Sequence, residues 1–250
     1  FCFAQVLMSQ SNKDCWAVIP ARGGSKRLRR KNLLLLDGLP LIARAVNTAR
    51  ASDCFSRILV STDDDEIAMA ATQAGAEVPF MRPPDLASDT ASSLNVILHA
   101  VERLTSQQAQ PDTVALIQAT SPLLTAEHIK AAMRLFSEGD FVSLSSMTLV
   151  SQYPEWLFRV DPASGKARPE SPRGIVAASS ALPRRYIENG AIYLVKSSWL
   201  LAERSLYNFA YHGCYVMSAA DSIDIDNADD FAQAEFEMAR RKQQNRSGSA

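Results

Sequence analysis

Histidine and cysteine are scarce in this chain. Its three histidines (His99, His128, His212) are too dispersed to suggest a zinc cluster, and its four cysteines (Cys2, Cys15, Cys54, Cys214) lack metal-type spacing. Such cysteines fit free thiols in a reducing compartment and point to the cytoplasm. Net charge is also nearly absent: 26 basic and 27 acidic side chains leave a formal −1. That argues against a general binder of nucleic acid or membrane surfaces. The longest apolar stretch, residues 33–46, is broken by Asp37, Pro40 and Arg44, so no membrane span is expected. Residues 1–8 are apolar without a basic leader or clear cleavage site, and read as an upstream extension, not a signal peptide. Neither common nucleotide fingerprint, G-x-x-x-x-G-K-S/T or G-x-G-x-x-G, occurs.

What is present suits an ordinary globular protein: 250 residues, 47% hydrophobic and 21% charged, enough for one large domain or for one domain with a modest lobe. Short apolar strands alternate with helical periodicity through the first 140 residues. The pattern predicts strands at 16–20, 57–61, 77–80, 113–117 and 141–145, and helices at 40–51, 64–74, 90–104 and 125–136. This order implies an α/β fold with a mostly parallel, doubly wound, Rossmann-like sheet. Between about 147 and 185 the periodicity disappears, and Pro154, Pro162, Pro169, Pro172 and Pro183 punctuate short extended pieces. We read residues 147–185 as an inserted β-rich lobe. The chain then returns to the sheet at 190–195, adds strands at 211–216 and 222–225, and closes with a helix at 228–241. The main domain is thus 15–146 plus 186–242, with flexible ends at 1–14 and 243–250.

The apolar run Cys15–Pro20 stops at Ala21-Arg22-Gly23-Gly24-Ser25, and six basic side chains fall between Arg22 and Lys31. Gly23 and Gly24 permit successive backbone N–H groups to turn toward an anion. Arg22, Lys26 and Lys31 would supply the charge that a triphosphate demands. Most charge runs are merely solvated turns, but a buried strand ending at paired glycines favours a phosphate site, beyond the carboxyl end of a strand where such sheets bind ligands.

Near the other end stands Asp221-Ser-Ile-Asp-Ile-Asp226. On a strand, Asp224 and Asp226 would share one face and Ile223 and Ile225 the other. Two aligned carboxylates with room for phosphate oxygens match the way Mg²⁺ is held. The plainer alternative is a strand edge leading to a helix capped by Asp226 or Asn227. Alone that alternative is slightly favoured; beside a triphosphate loop the metal reading wins. The acidic run Asp63-Asp64-Asp65-Glu66 instead fits capping-box registers, Thr62 with Asp65 or Asp63 with Glu66, and reads as a structural cap. Residues 82–90 form a Pro-stiffened loop with Asp89 or Thr90 as the helix cap.

These segments together resemble the acylneuraminate cytidylyltransferases, the CMP-sialic acid synthetase family that includes legionaminic and pseudaminic acid cytidylyltransferases. The strand and Pro20-Ala21-Arg22-Gly23-Gly24-Ser25-Lys26…Lys31-Asn32 loop are similar to the family's first motif. The Arg82-to-Ser93 stretch resembles its base-recognition segment, with Arg82, main chain near Ala91, and Ser93 around cytosine and ribose. Gln118, Thr120 and Ser121 resemble its sugar-contacting loop, Asn189-Gly-Ala-Ile-Tyr193 a further motif of the sugar side, and Asp224-Ile-Asp226 its metal motif. The likeness spans about residues 16–242. It implies CMP transfer from CTP to a nine-carbon 2-keto acid sugar with release of pyrophosphate. It also implies Mg²⁺ on Asp224 and Asp226, a nucleotidyltransferase sheet, and a homodimer joined through the inserted lobe. Arg22, Lys26, Lys31 and Asp226 would be the catalytic set, and Ala21, Gly23, Gly24, Ser25 and Asn32 would complete the nucleotide site.

The chain departs from the family on the sugar side. Ile187 and Leu124 stand where the family commonly has arginine, Ser179-Ser180-Ala181 where a polar or basic pair precedes Leu-Pro, and Trp156 where some members carry lysine. Arg184 and Arg185 are candidates for compensating charge. These changes suggest a less hydrophilic sugar pocket, suited to a deoxy, diacylated sugar. The rivals are the same transfer with GTP or another acid sugar, and a non-catalytic sugar-nucleotide sensor; retention of both aspartates argues against the sensor.

Overall fold

The computed structural model describes residues 14–88, 90–106, 110–170 and 182–247. Strand β1 (Cys15–Pro20) is buried along almost its whole length, because it runs through the interior of a sheet with protein on both faces. A small antiparallel hairpin of β2 (Leu35–Leu36) and β3 (Leu39–Pro40) then leads into α1 (Leu41–Ser52), with Pro40 at the N-cap position. Next come β4 (Arg57–Ser61), α2 (Asp65–Gln73), α3 (Ser93–Thr105), β5 (Thr113–Ile117), α4 (Ala126–Glu138) and β6 (Ser143–Leu149). The lobe contributes an exposed antiparallel pair, β7 (Phe158–Val160) and β8 (Ala167–Pro169). The chain returns through the long β9 (Tyr186–Lys196), α5 (Ser197–Glu203), β10 (His212–Val216) and α6 (Ala228–Ser247).

Six of these strands form one sheet in the order β10-β6-β9-β5-β1-β4, in which β9 alone runs antiparallel to its neighbours. Alternation within each strand divides the core between two faces. Ala17, Ile19, Ala115, Ile117 and Leu144 pack beneath α1, α2 and α4, whereas Trp16, Val18, Val114, Leu116 and Val195 pack beneath α3 and α5. The sheet is therefore doubly wound, as the sequence order implies. Leu36, Leu41, Leu123, Ile223, Ile225 and Ala234 form a third, smaller cluster.

Four expectations need correction. Residues 77–80 make only isolated bridges, Leu59 to Glu77 and Thr62 to Met81, because the chain touches β4 and leaves it. Residues 222–225 are not a strand; their alternation comes from Ile223 and Ile225 reaching the third cluster from an extended loop. The lobe begins later than 147, since Met147 and Leu149 still pair with Glu188 and Tyr186 in the main sheet. The closing helix runs on to Ser247 instead of fraying at 243. In the loop before α3, Thr90 is not the cap: Ser92 is, its hydroxyl accepting from Asn95 N at 3.2 Å, while Asp89 lies outside the described residues. Residues 1–13, which include Cys2, and 171–181, which include Pro172, also lie outside them. Cys15, Cys54 and Cys214 are free thiols. No helix among the described residues is long and apolar enough to cross a membrane.

Candidate active site

β1, β4 and β5 are mutually parallel, so their carboxyl ends meet at one edge of the sheet. The segments that follow them, together with the loop into α3, enclose a cleft. It is lined by Arg22, Ser25, Lys26, Arg27, Lys31 and Asn32 from the basic loop, Arg82, Ser88, Ala91 and Ser93 from the second, Gln118 and Thr120 from the third, and Asp226. The fold thus brings together eleven residues that the sequence nominates for the site.

The basic loop is pinned from several sides. Asn32, buried, donates its amide to Arg22 O at 2.9 Å. Arg22 reaches across the cleft to donate to Ser88 O at 2.8 Å. Ala21 N donates to Ser61 O at 3.0 Å, joining the loop to the end of β4. The two glycines differ from their expected role. Neither has a left-handed φ, and Gly23 N donates to Asp63 Oδ1 at 3.0 Å instead of facing the cleft. The acidic run explains this: Asp64, not Thr62 or Asp63, caps α2 by accepting from Glu66 N and Ile67 N. That leaves Asp63 to hold the loop. The sequence reading of a structural cap holds, in a different register.

Arg82 is buried, donating to both the hydroxyl and the carbonyl of Ser61. Burial lowers its pKa to about 10, opposed by the charge of Asp63. A buried guanidinium held by neutral oxygens is a fixed cation at the cleft wall.

The aspartate loop is placed by its isoleucines. Ile223 and Ile225 are buried, each contributing about 1.5–3 kcal/mol of apolar burial, and Ile225 N donates to Thr120 O at 2.8 Å. Asn227, not Asp226, caps α6: its side chain accepts from Asp229 N and Asp230 N, and Asp230 accepts from Asn227 N in return. Asp226 is therefore left for the cleft, where Lys31 donates to its Oδ1 at 3.1 Å and Arg27 approaches its Oδ2 at 3.0 Å. Burial raises its carboxyl, but the hydrogen bond and charge of Lys31, joined by Arg27, outweigh that and hold it below the usual range. Asp224 shows the reverse balance. The residue is exposed, yet many protein atoms surround its carboxyl, which hydrogen-bonds Thr120. This desolvation, with the like charge of Asp226, raises it above the usual range.

The sugar-side residues divide. The β6–β9 ladder slips between Ser145 and Met147, and the segment around Asn189 is extruded as a bulge with Gly190 at φ +76°. Asn189 is buried inside it: Oδ1 accepts from Ser146 Oγ (2.6 Å) and Ala191 N (3.2 Å), while Nδ2 donates to Ser222 Oγ at 2.8 Å. Its amide thus braces the bulge and sets Gly190 near Gln118 and Asp224. Tyr193 faces away from the cleft lining, its hydroxyl near Glu188 at 3.4 Å, and burial raises its pKa. Ser121 is buried just beneath the third loop. Two departures are also placed. Leu124 belongs to the core and cannot touch a sugar; Ile187 is exposed on β9. Arg185 is committed to Glu155 at 2.5 Å, so it is a poor source of compensating charge. Ser179, Ser180 and Ala181 lie outside the described residues.

The sequence matches the family described as cytidylyltransferase over residues 16–243. This chain belongs to the cytidylyltransferase family. It is 35% identical to the CMP-N,N'-diacetyllegionaminic acid synthase of Legionella pneumophila over 219 residues, covering 88% of this chain and 94% of that protein. It is 32% identical to the pseudaminic acid cytidylyltransferase of Campylobacter jejuni, with the same coverage. Identity is also 32% to the N-acylneuraminate cytidylyltransferase of Escherichia coli, of which the match spans 50%. A solved CMP:2-keto-3-deoxy-manno-octonic acid synthetase complexed with CTP superposes with a TM-score of 0.68 at 17% identity, covering 91% of this chain and 99% of that one. The cytidylyltransferase fold is therefore shared well beyond close sequence similarity.

Among the described residues, no three His, Cys, Asp or Glu side chains converge on a metal-sized site. Asp226 lines the cleft and Asp224 does not, but the two carboxylates lie near enough for their charges to interact, and such a pair could hold a hard cation that takes its remaining ligands from phosphate and water. Desolvation is the main cause that raises Asp224; the lesser contribution, the like charge of Asp226, is what a cation between the pair would relieve. The residue missed by sequence reasoning is Arg27, hidden among six adjacent bases until the fold shows it paired with Asp226.

Proposed function

We propose that this cytidylyltransferase transfers CMP from CTP to a nine-carbon 2-keto acid sugar and releases pyrophosphate. The observation that supports it best is the cleft itself: a cationic loop at one side, the buried Arg82 and the exposed Ser93 at another, and Asp226 with Gln118 and Thr120 completing the lining. In this reading Arg82, Ala91 and Ser93 seat the cytidine, while Arg22, Ser25, Lys26 and Lys31 hold the phosphates. The anomeric hydroxyl gives up its proton to solvent as its oxygen forms the new bond to the α-phosphorus, and the bond from that phosphorus to the α,β-bridging oxygen breaks, releasing pyrophosphate. Fixed cations beside the leaving pyrophosphate stabilise charge that develops there, without reorganising during the step. Asp224 and Asp226 would hold Mg²⁺, which supplies Lewis-acid polarisation of phosphate oxygens when bound. Gln118 and Thr120 line the side from which the sugar would approach, with Ser121, Asn189 and Tyr193 supporting that wall.

The sugar we favour is a deoxy, diacylated acid of the legionaminic or pseudaminic kind. The relatives named for such acids support this, as does exposed Ile187 where a basic side chain is common in the family. We further propose a homodimer through the lobe, whose Leu157, Phe158 and Val160 are exposed beside Leu149, Tyr186 and Ile187. Pyrophosphate release measured with CTP and a panel of acid sugars tests the activity; no release with any sugar overturns it. Light scattering of the purified protein tests the dimer, and a monomer mass across micromolar concentrations overturns that part.

A further inference from the structure

We propose that Arg27 is a positioning residue that exchanges partners as substrate enters. It holds Asp226 before the nucleotide binds and moves to the polyphosphate when cation and nucleotide arrive. The inference rests on the cytidylyl-transfer reading and on Asp226 as a cation ligand. Both carboxylate oxygens of Asp226 are covered by basic nitrogens, Oδ1 by Lys31 and Oδ2 by Arg27. A divalent cation on either oxygen would sit against the base already there, and that like-charge repulsion favours displacing the base less firmly held.

The two bases are not equally able to move. Lys31 is 14% exposed and also donates to Ile225 O at 2.5 Å, so displacing it would strand a charge in a partly buried place. Arg27 is 71% exposed and touches Asp226 from solvent. Exposed pairs of this kind are weak and readily exchanged. Arg27 also lines the cleft beside Ser25 and Lys26, where a polyphosphate would offer it oxygens in the paired geometry that a guanidinium matches. A cation on Asp226 Oδ2 repels Arg27 at the moment the phosphates give it a new partner. One side chain thereby neutralises the carboxylate when the cleft is empty and the substrate when it is full.

The test compares the unaltered protein with Arg27→Gln, Arg27→Lys and Asp226→Asn. Mn²⁺ alone is titrated without nucleotide by electron paramagnetic resonance, and CTP with Mg²⁺ is titrated calorimetrically without sugar. Arg27→Gln should bind Mn²⁺ about two- to five-fold tighter, because a competing charge is gone. It should bind CTP about five- to tenfold more weakly, because a charged phosphate contact is gone. Arg27→Lys keeps the charge and should restore Mn²⁺ binding to the unaltered level while recovering CTP binding only in part. Unchanged Mn²⁺ affinity in Arg27→Gln, with Asp226→Asn still impaired, overturns the exchange and leaves the cation site standing. Tighter Mn²⁺ binding with unchanged CTP affinity also overturns it. Mn²⁺ binding that ignores Asp226→Asn removes the cation site, and the exchange with it.

Discussion

Gly23 lies so close to Asp64 that a β-carbon on the glycine would sit 2.7 Å from Asp64 Oδ2 and 2.9 Å from its Cβ. The glycine is needed for packing between the basic loop and the first turn of α2. Gly24, by contrast, has nothing within 4 Å of the place its β-carbon would occupy. Gly23→Ala should therefore cost about 1–3 kcal/mol from overpacking, plus up to about 1 kcal/mol if Asp64 is pushed off its cap. Gly24→Ala should melt within a degree or two of the parent. Thermal unfolding of the two variants decides this, and equal melting of both would show that the loop yields.

Neighbouring aspartates should respond to amidation with opposite signs. The raised carboxyl of Asp224 binds its proton more tightly in the folded than in the unfolded chain. Its ionisation therefore costs stability, a cost that is absent in acid and grows as pH rises above the unfolded carboxylate range. Asp224→Asn should melt slightly higher than the parent at pH 7, the gain kept small by the exposure of the side chain and shrinking toward acid, while turnover collapses. A lower melting temperature at neutral pH would contradict the desolvated carboxyl.

Asp226→Asn should melt slightly lower. Its carboxyl is held down by Lys31 and Arg27, so its charge contributes stability above the unfolded value that is lost as pH falls through the folded one. The loss is small because the side chain is 43% exposed and screened, and because Asn227 still caps α6. Turnover should nonetheless fall by orders of magnitude. Near-normal pyrophosphate release at saturating Mg²⁺ would remove Asp226 from the reaction.

CTP should be preferred over GTP, ATP and UTP. Arg82 is buried and held by Ser61, and polar groups matched to one base are left unpaired with another. Steady-state rates with the four nucleotides provide the check, and equal turnover with GTP sinks the base assignment.

For the sugar, kcat/KM should be higher for a legionaminic or pseudaminic acid than for N-acetylneuraminate. Each hydroxyl left unpaired in a buried pocket costs about 1–3 kcal/mol. A higher kcat/KM for N-acetylneuraminate than for both deoxy acids refutes the preference.

Strands β4 and β5 were legible to the residue, and β1 to within one, because they are interior to the sheet and consist of short apolar runs. Residues 222–225 carried an equally clear alternation, yet it reports which side chains are buried and not whether a neighbouring strand pairs with them. Helix α5 passed unnoticed because seven residues give less than two turns of periodicity. In the site, Lys31, nominated for its charge, Asp226, for its alternation with isoleucine, and Arg82, through the family resemblance, all line the cleft. Arg27 was not nominated, since the sequence cannot say which of six bases turns inward: Arg30 pairs outward with Glu66, whereas Arg27 turns to Asp226. Leu124 misled for the converse reason. A position compared by motif was assumed to face the ligand, and its burial in the core shows otherwise.

Lys31 and Ile225 are 194 positions apart, and their contact is closed over the small apolar cluster that also joins Leu36 and Leu41 to the start of α6. During synthesis, the cationic loop leaves the ribosome early while its carboxylate counterpart is still unmade. At roughly 5–20 residues per second, about ten to forty seconds separate the two. A nascent chain can thus complete most of its sheet and expose its anion-binding half without any capacity to turn over CTP. Competence arrives in one step, when the aspartate loop and the start of α6 dock through Ile223, Ile225 and Ala234.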